Sequence, residues 1–583
     1  MKRVIACVAC GVLLALCQAS AALRVASTRA EYEAHPLGIG PRAPRLSWSS
    51  AGDRRAERQT AYQVVAAATQ TDLTAGRNLT WDSGKVDSEQ SQFVPYGGPA
   101  LVSRQRVWWR VRVWDARGTA SPWSDAAWFE AGLLKAEDWK AQWLTTPRET
   151  VDPTWQGAKW IWTPGDSEAA GHRYFRTTIN LPADVGVDEA QLNITVDDQF
   201  VAYLNGEQVG RSSGQADAWR SPQKIDLRAK LKTGPNTLAI DAENSGGAAG
   251  LLARVALKFN GTKAPVVSGP TWKCNVNALP EWQSPTFDDR GWPKARVMAD
   301  YGLGPWGQLG EATVGGGLPP VTYLRRGFDL AKPAARARLY VTALGLYRVR
   351  LNGQPVGDAI LAPDWTDYRK RVQAQTYDVT SLVKPGQNVL GALLGDGWYC
   401  GHVGLGGRKR YGQQSWLLAQ LMVDHADGTT TVVASGDGWK ARSGPILFSD
   451  LLMGEGYDAR VDLGAWDKTG YDDQAWQAAK ADTPDPLGAV EWPTGPAVRR
   501  LTEIKAQTLA EPKPGRWTFD LGQNMVGYAR LKVTAPAGTK VTLRFAEMLN
   551  PDGTVYTTNY RSARCTDEYT CRGGGEEIGR AHV

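Results

Sequence analysis

Histidine is scarce in this chain of 583 residues: there are five, beside seven cysteines and six methionines. So few imidazoles leave little for a histidine-built metal centre or a histidine-driven reaction, and neither CxxC spacing nor paired histidines accompanies the cysteines. Long runs of one charge sign are also missing. The net charge of +7 is spread along the chain, which argues against nucleic acid as a partner. Past the first twenty or so residues, no apolar stretch approaches the roughly 20 residues that a membrane-spanning helix needs. Capped amphipathic helices in series are absent too. With 42% hydrophobic and 22% charged residues, the composition excludes collagenous, disordered, coiled-coil and polytopic membrane classes.

What the chain does have is 25 Trp, 63 Gly and 33 Pro. Large flat side chains and frequent turns predict short strands joined by loops, an all-β fold. At about 150 residues per domain, the length sets an expectation of about four domains.

Lys2 and Arg3 precede an apolar run over residues 4–16, and Ala19-Ser20-Ala21 follows as a small-x-small cleavage signal. Residues 1–21 therefore read as a signal peptide, which predicts an exported protein, periplasmic or extracellular, with no membrane attachment after cleavage. Cleavage leaves Cys274, Cys400, Cys565 and Cys571. In an oxidising compartment, Cys565 and Cys571 are close enough in sequence to staple a hairpin.

Residues 22–134 predict a small β-sandwich. Trp109, Val111 and Val113 alternate with Arg110, Arg112 and Trp114, a period-2 strand with one apolar face. An internal repeat follows. Tyr174-Phe175-Arg176, Leu192-Asn193-Ile194-Thr195 and Leu204-Asn205-Gly206 recur as Tyr323-Leu324-Arg325, Leu339-Tyr340-Val341-Thr342 and Leu351-Asn352-Gly353. Gly234-Pro235-Asn236 matches Gly386-Gln387-Asn388, and Asp288-Asp289 before Trp292 matches Asp472-Asp473 before Trp476. Matches in one order predict two copies of one domain. The Asn-Gly turns fit antiparallel jelly rolls, placed at residues 135–315 and 316–495. Trp272, Trp282 and Trp292 read as core aromatics of the first. Strands resume after Pro493-Thr494-Gly495-Pro496, and residues 496–576 are too few for more than an incomplete β-sandwich.

Together these segments resemble the N-terminal half of bacterial α-L-rhamnosidases, glycoside hydrolase family 78. The resemblance rests on Val107-Trp108-Trp109-Arg110-Val111, Leu351-Asn352-Gly353 and Gly395-Asp396-Gly397-Trp398-Tyr399 followed by Gly401. It rests further on Gly454-Glu455-Gly456-Tyr457-Asp458-Ala459-Arg460 and Phe519-Asp520-Leu521-Gly522-Gln523-Asn524. It covers residues 23–576 and implies a fibronectin type III-like module, two galactose-binding-like jelly rolls and a concanavalin-like β-sandwich. In the family these precede an (α/α)6 barrel that cleaves terminal α-L-rhamnose with inversion, using two carboxyl groups about 6.5–9.5 Å apart. Both family carboxyl groups lie in the barrel, so no catalytic residue is assigned in this chain and the missing barrel is its implied partner. One back-translation of residues 577–583 spells a sequencing-library adapter, so these seven are expected not to be biological.

Rhamnose-containing glycosides or polysaccharides are the implied ligands. Three candidate sites follow. Asp396, Trp398 and Tyr399 set aromatic faces beside a carboxylate, as a sugar site would, or form a packing corner. Glu455 and Asp458 are a second carboxylate pair, read against a structural ion pair with Arg460 or a contact with the missing barrel. Asp197 and Asp198 could hold calcium in the first jelly roll, or simply form a turn; no cofactor is required. The rival functional reading is a stand-alone carbohydrate-binding or adhesion protein built of jelly rolls.

Overall fold

The computed structural model describes residues 23–40, 43–146, 155–165, 169–214, 218–301, 306, 309, 318–404, 407–485, 487–575 and 577–580. Residues 1–21, read as a signal peptide, and residues 581–583 fall outside that set. Strands dominate, as the turn-rich sequence predicts, and helices are short. Among the described residues, no helix is long and apolar enough to cross a membrane.

The first unit packs two sheets face to face. One sheet runs Leu37–Ile39, Ala127–Ala131, Arg106–Asp115, Gln59–Ala67, Leu79–Asp82, and the other runs Arg24–Ala30, Arg45–Ala51, Val94–Pro95. Arg106–Asp115 alternates half-buried and buried residues along its whole length. Trp109, Val111 and Val113 enter the core with Trp48, Val64 and Phe129. On the opposite face Arg110 and Arg112 lie over the Trp123 ring at 4.8 and 4.6 Å, so the polar half of the alternation is also fixed.

The repeat in the sequence is a repeat in topology. In the first jelly roll, one sheet runs Gln223–Asp226, Val187–Asp197, Gly250–Phe259, Lys159–Trp162, Arg296–Asp300. Its facing sheet runs Glu207–Arg211, Gln199–Leu204, Gly234–Asn244, Gly171–Leu181, Lys273–Asn275. The second roll repeats the first order as Gln375–Asp378, Arg336–Leu344, Trp416–Asp424, Leu144–Thr145, Lys480–Ala481. It repeats the second as Gln354–Pro355, Leu346–Leu351, Gly386–Gly395, Thr322–Leu330, Lys440–Ser443. Each roll closes over its own apolar core. Trp272 is buried in the first, while Trp282 and Trp292 stack 6.3 Å apart over its outer face.

The order exposes a boundary that local sequence cannot show. Leu144 and Thr145, assigned by the sequence to the first roll, form a strand of the second, where Leu144 pairs with Leu417 and Ala481. The first roll is thus inserted between two strands of the second. Strand pairing is non-local, and a two-residue strand carries no periodicity of its own.

The first unit is tied to the second roll by a buried ion cluster. Glu130, fully buried, accepts from Arg338 Nε at 2.7 Å and Arg106 Nε at 3.0 Å. Trp492 reaches back to the same seam: its Nε1 donates to the Leu133 carbonyl, and its ring fills the space a side chain at Gly132 would need.

The last unit joins through strands Ile446–Asp450 and Gly454–Asp458. The latter pairs in parallel with Thr566–Thr570, which pairs with Lys540–Arg544. Beyond that seam, among the described residues, the apolar packing is a small cluster in which Leu531, Val533 and Val541 lie against buried Tyr569 and Cys571. Trp517, Phe519, Val526 and Leu501 are exposed, and among the described residues half of the exposed large apolar side chains fall after residue 500. Glu577–Arg580, in the tail read as foreign, lies as a strand beside Arg530–Val533. Its Glu577 carboxylate accepts from Arg572 N and Gly573 N.

The Cys565–Cys571 staple that the spacing left open does not form. The two flank a single strand, Thr566–Thr570, and all four described cysteines are free. A strand rises about 3.3 Å per residue, so its ends stand far beyond the ~6 Å Cα separation a disulfide tolerates.

Candidate functional site

Strand Gly386–Gly395 ends where the glycine-rich segment begins, and sterics explain its composition. Gly397 sits at φ +51°, where a Cβ would stand 2.6 Å from Leu346 Cγ. A Cβ at Gly345 would meet the Gly395 carbonyl at 2.4 Å, and one at Gly401 would meet the Gly397 carbonyl at 2.4 Å. The backbone therefore turns sharply and delivers its side chains in different directions.

Asp396 points toward a cavity of about 600 Å³ between the second roll and the last unit. It pairs with Arg408. Burial raises its carboxyl above the usual range, with the Arg408 charge opposing. Tyr399 turns the other way into the core, edge-on to Tyr368 at 5.3 Å and almost fully buried. Trp398 is half-buried at the edge of that same core and stacks on the exposed Trp365, ring centroids 6.0 Å apart and planes 4° from parallel. The three residues that sequence groups into one sugar site thus serve a cavity wall, a core and the edge of that core. For Tyr399 the packing-corner reading is the one observed.

Glu455 and Asp458 are not a pair either. Three positions apart on one strand, they project to opposite faces. Glu455 is buried and lines the cavity, while its N–H donates to Asp567 Oδ1 at 2.8 Å. Asp458 accepts from Arg460 N, Nε and Nη2 at 3.0, 2.9 and 2.7 Å, a local ion pair that caps the turn of Ala459–Val461. The hydrogen bond to Arg460, ahead of opposing burial, lowers its carboxyl below the usual range.

The cavity gathers residues from distant segments that sequence did not single out. Arg348 and Tyr528 line it beside Asp396, Glu455 and Asp567. Burial lowers the Arg348 guanidinium pKa, with Tyr528 opposing. Burial also pushes Asp567 up to about 6, against the Glu455 N–H that favours its charged form. Below them Asp450 accepts from His402 N and Nδ1 at 2.9 and 3.0 Å, and from Leu452 and Met453 N–H. Burial acts to raise that carboxyl, but these donors outweigh it and hold it low. Carboxylates, a guanidinium and aromatic rings around one space form a hydrogen-bonding lining suited to a polyhydroxylated ligand.

Asp197 ends strand Val187–Asp197, and Asp198 follows it in the turn to Gln199–Leu204. Asp198 Oδ2 accepts from Ser245 N at 2.7 Å and Ser245 Oγ at 2.5 Å, and Trp306 Nε1 donates to Asp197 Oδ2 at 2.8 Å. Both are hard oxygen donors, but Ca²⁺ takes 6–8 oxygens. Among the described residues no group of three His, Cys, Asp or Glu side chains could hold a metal. The corresponding positions of the second roll, Leu344 and Gly345, carry no acid.

Three family models match the chain in order. Residues 25–135 match a Rha78A-like N-terminal immunoglobulin domain, residues 332–502 an α-L-rhamnosidase N-terminal domain, and residues 510–583 a bacterial α-L-rhamnosidase concanavalin-like domain. The first of these is a β-sandwich of immunoglobulin type, and the match does not carry the finer fibronectin type III label. An α-L-rhamnosidase of Streptomyces avermitilis is 46% identical over 567 residues, covering 95% of this chain and 54% of the relative. One from Formosa agariphila is 29% identical, over 95% of this chain and 43% of its own. The solved Streptomyces avermitilis α-L-rhamnosidase, complexed with L-rhamnose, superposes with a TM-score of 0.73 at 45% identity, covering 96% of this chain and 55% of that one. The enzyme from Dictyoglomus thermophilum shares the fold at a TM-score of 0.63 and 24% identity. The chain is similar, over these three stretches, to the N-terminal domains of α-L-rhamnosidases, and it spans about half the length of the curated relatives it matches.

Proposed function

We propose that this chain is the accessory, N-terminal part of an exported α-L-rhamnosidase that removes terminal, non-reducing α-L-rhamnose from glycosides with inversion. The observation that carries the reading is co-linearity: three rhamnosidase family models match in order, and identity persists across 95% of this chain but only 54% of the relative. The exposed apolar side chains after residue 500 support it, since a β-sandwich lacking part of its strands leaves such a face open.

Inversion needs an acid and a base on opposite sides of the glycosidic bond. Asp396 is tied to Arg408 and Asp458 to Arg460, and Glu455 is buried against the last unit. None is assigned a catalytic role, and the pair belongs to a helical barrel encoded downstream. Asp197 and Asp198 leave calcium in the first roll as a proposal. It is tested by rhamnose affinity with and without chelator, and unchanged affinity removes it.

The chain alone should not hydrolyse 4-nitrophenyl α-L-rhamnoside. Sequencing downstream of codon 576 should reveal several hundred codons of helical pattern with inward Glu and Asp, and joining that segment should restore hydrolysis with inversion. A stop codon there, with no activity in any extended protein, would overturn the reading in favour of a stand-alone carbohydrate-binding or adhesion protein.

A further inference from the structure

Trp365 stands 48% exposed beside Trp398, their rings nearly parallel. Exposure of an indole forgoes burial that a core position would give. The segment that presents it is not slack. Leu361 and Asp364 both hold positive φ, at +58° and +85°, a conformation that is unfavourable for non-glycine residues. Trp365 N donates to Asp364 Oδ1 at 2.7 Å, Tyr368 OH donates to the Asp364 carbonyl at 3.2 Å, and Trp365 Nε1 donates to Tyr411 OH at 3.3 Å. Backbone strain and three hydrogen bonds therefore hold an indole at the surface.

The ledge has a polar border. Arg369 sits 5.5 Å over the Tyr411 ring and pairs with Asp367 at 2.9 Å. Two indoles expose at most a few hundred Å², well short of the roughly 800 Å² per partner that a stable protein interface buries. Flat aromatic faces edged by hydroxyl, carboxylate and guanidinium match a pyranose ring, with C–H groups on one face and hydroxyls at its rim. Neither Trp365 nor Trp398 lines the cavity that Asp396 and Gly397 face, so the ledge is a separate site on the second roll.

We propose that Trp365 and Trp398 form a carbohydrate-binding ledge that stacks a pyranose of a neutral glycan chain. The choice of a rhamnose-bearing probe rests on the rhamnosidase reading, but the ledge itself does not.

The test is affinity gel electrophoresis of the chain in a soluble rhamnose-rich polysaccharide and in dextran, with the Trp365→Ala and Trp365→Phe variants run beside it. The expected result is retardation of the parent chain by at least one gel. Trp365→Ala should weaken it about tenfold or more, Trp365→Phe should keep part of it, and the melting temperature of Trp365→Ala should match the parent. Equal retardation of parent and Trp365→Ala, or none in either gel, would overturn the proposal. So would protection of Trp365 from acrylamide quenching in the downstream-extended protein without glycan, which would make the ledge an internal interface. Downstream sequencing judges the rhamnosidase reading independently, so the two can fail separately.

Discussion

Asn352 Nδ2 donates to Asn388 Oδ1 at 2.7 Å, and in the first jelly roll Asn205 makes the same bond to Asn236 at 2.8 Å. Each second asparagine is buried and also donates to a carbonyl four residues back, Lys384 or Lys232. Each first asparagine accepts the N–H of the residue following its partner. The Asn-Gly turn and the Gly-x-Asn loop, over thirty residues apart, are thus one hydrogen-bonded unit used twice.

Asn388→Ala should therefore cost about 2–3 kcal/mol, because it strands several buried partners at once. Denaturant unfolding of the second roll checks this. A loss below about 0.5 kcal/mol would mean water replaces the side chain.

Glu130 sits at the seam between the first unit and the second roll, with Arg338 only 2% exposed. Glu130→Ala should destabilise that seam by about 3 kcal/mol, because the buried Arg338 guanidinium would keep only the half-exposed Asp378 as its counter-charge. Limited proteolysis between the two units should accelerate in the variant, and an unchanged cleavage rate would argue that Trp492 and the Arg104–Asp424 pair suffice to hold them.

Asp567 and Asp424 should give opposite pH signatures. Burial raises Asp567 to about 6 in the folded chain, so the folded state retains the proton longer than the unfolded state. Its penalty is absent below about pH 4, grows as pH rises through 6, and reaches about 3 kcal/mol above that. Asp567→Asn should accordingly stabilise the protein at pH 7–8 and not at pH 4. Burial acts to raise Asp424 as well, but hydrogen bonds from Arg104, Thr430 and Arg336 outweigh it and bring the group to about 2. Its contribution, about 2 kcal/mol, is fully present above about pH 4 and disappears as pH falls through 2. Melting temperatures of the parent, Asp567→Asn and Asp424→Asn across pH 3–8 separate the two.

With Cys565 and Cys571 at opposite ends of one strand, a thiol reductant should leave the melting temperature unchanged. Cys274, Cys400, Cys565 and Cys571 should all titrate with a thiol reagent in denaturant. A count short by two would revive the staple.

The all-β class, the Trp109 strand and the duplicated roll were legible because they rest on local periodicity and on turn residues with positive φ, such as Asn205 and Asn352. The Asp396 segment was also legible as special, since its glycines answer close approaches of the backbone. Its division was not. Whether Trp398 reaches solvent while Tyr399 is buried depends on what the rest of the roll stacks against each, and Trp365 lies over thirty residues away.

Sequence by itself determined the elements: strand periodicity, hairpin turns, two copies of one domain, and the family resemblance carried by short motifs. Tertiary structure alone decided which elements meet. It placed Leu144 in the second roll, set Cys565 and Cys571 at opposite ends of a strand, and turned Glu455 and Asp458 to opposite faces. It also brought Arg348, Glu455 and Asp567 around one cavity. The physical reason is range: turns and alternation are settled by a residue and its near neighbours, whereas pairing, burial and pKa are set by groups that only the folded chain brings together.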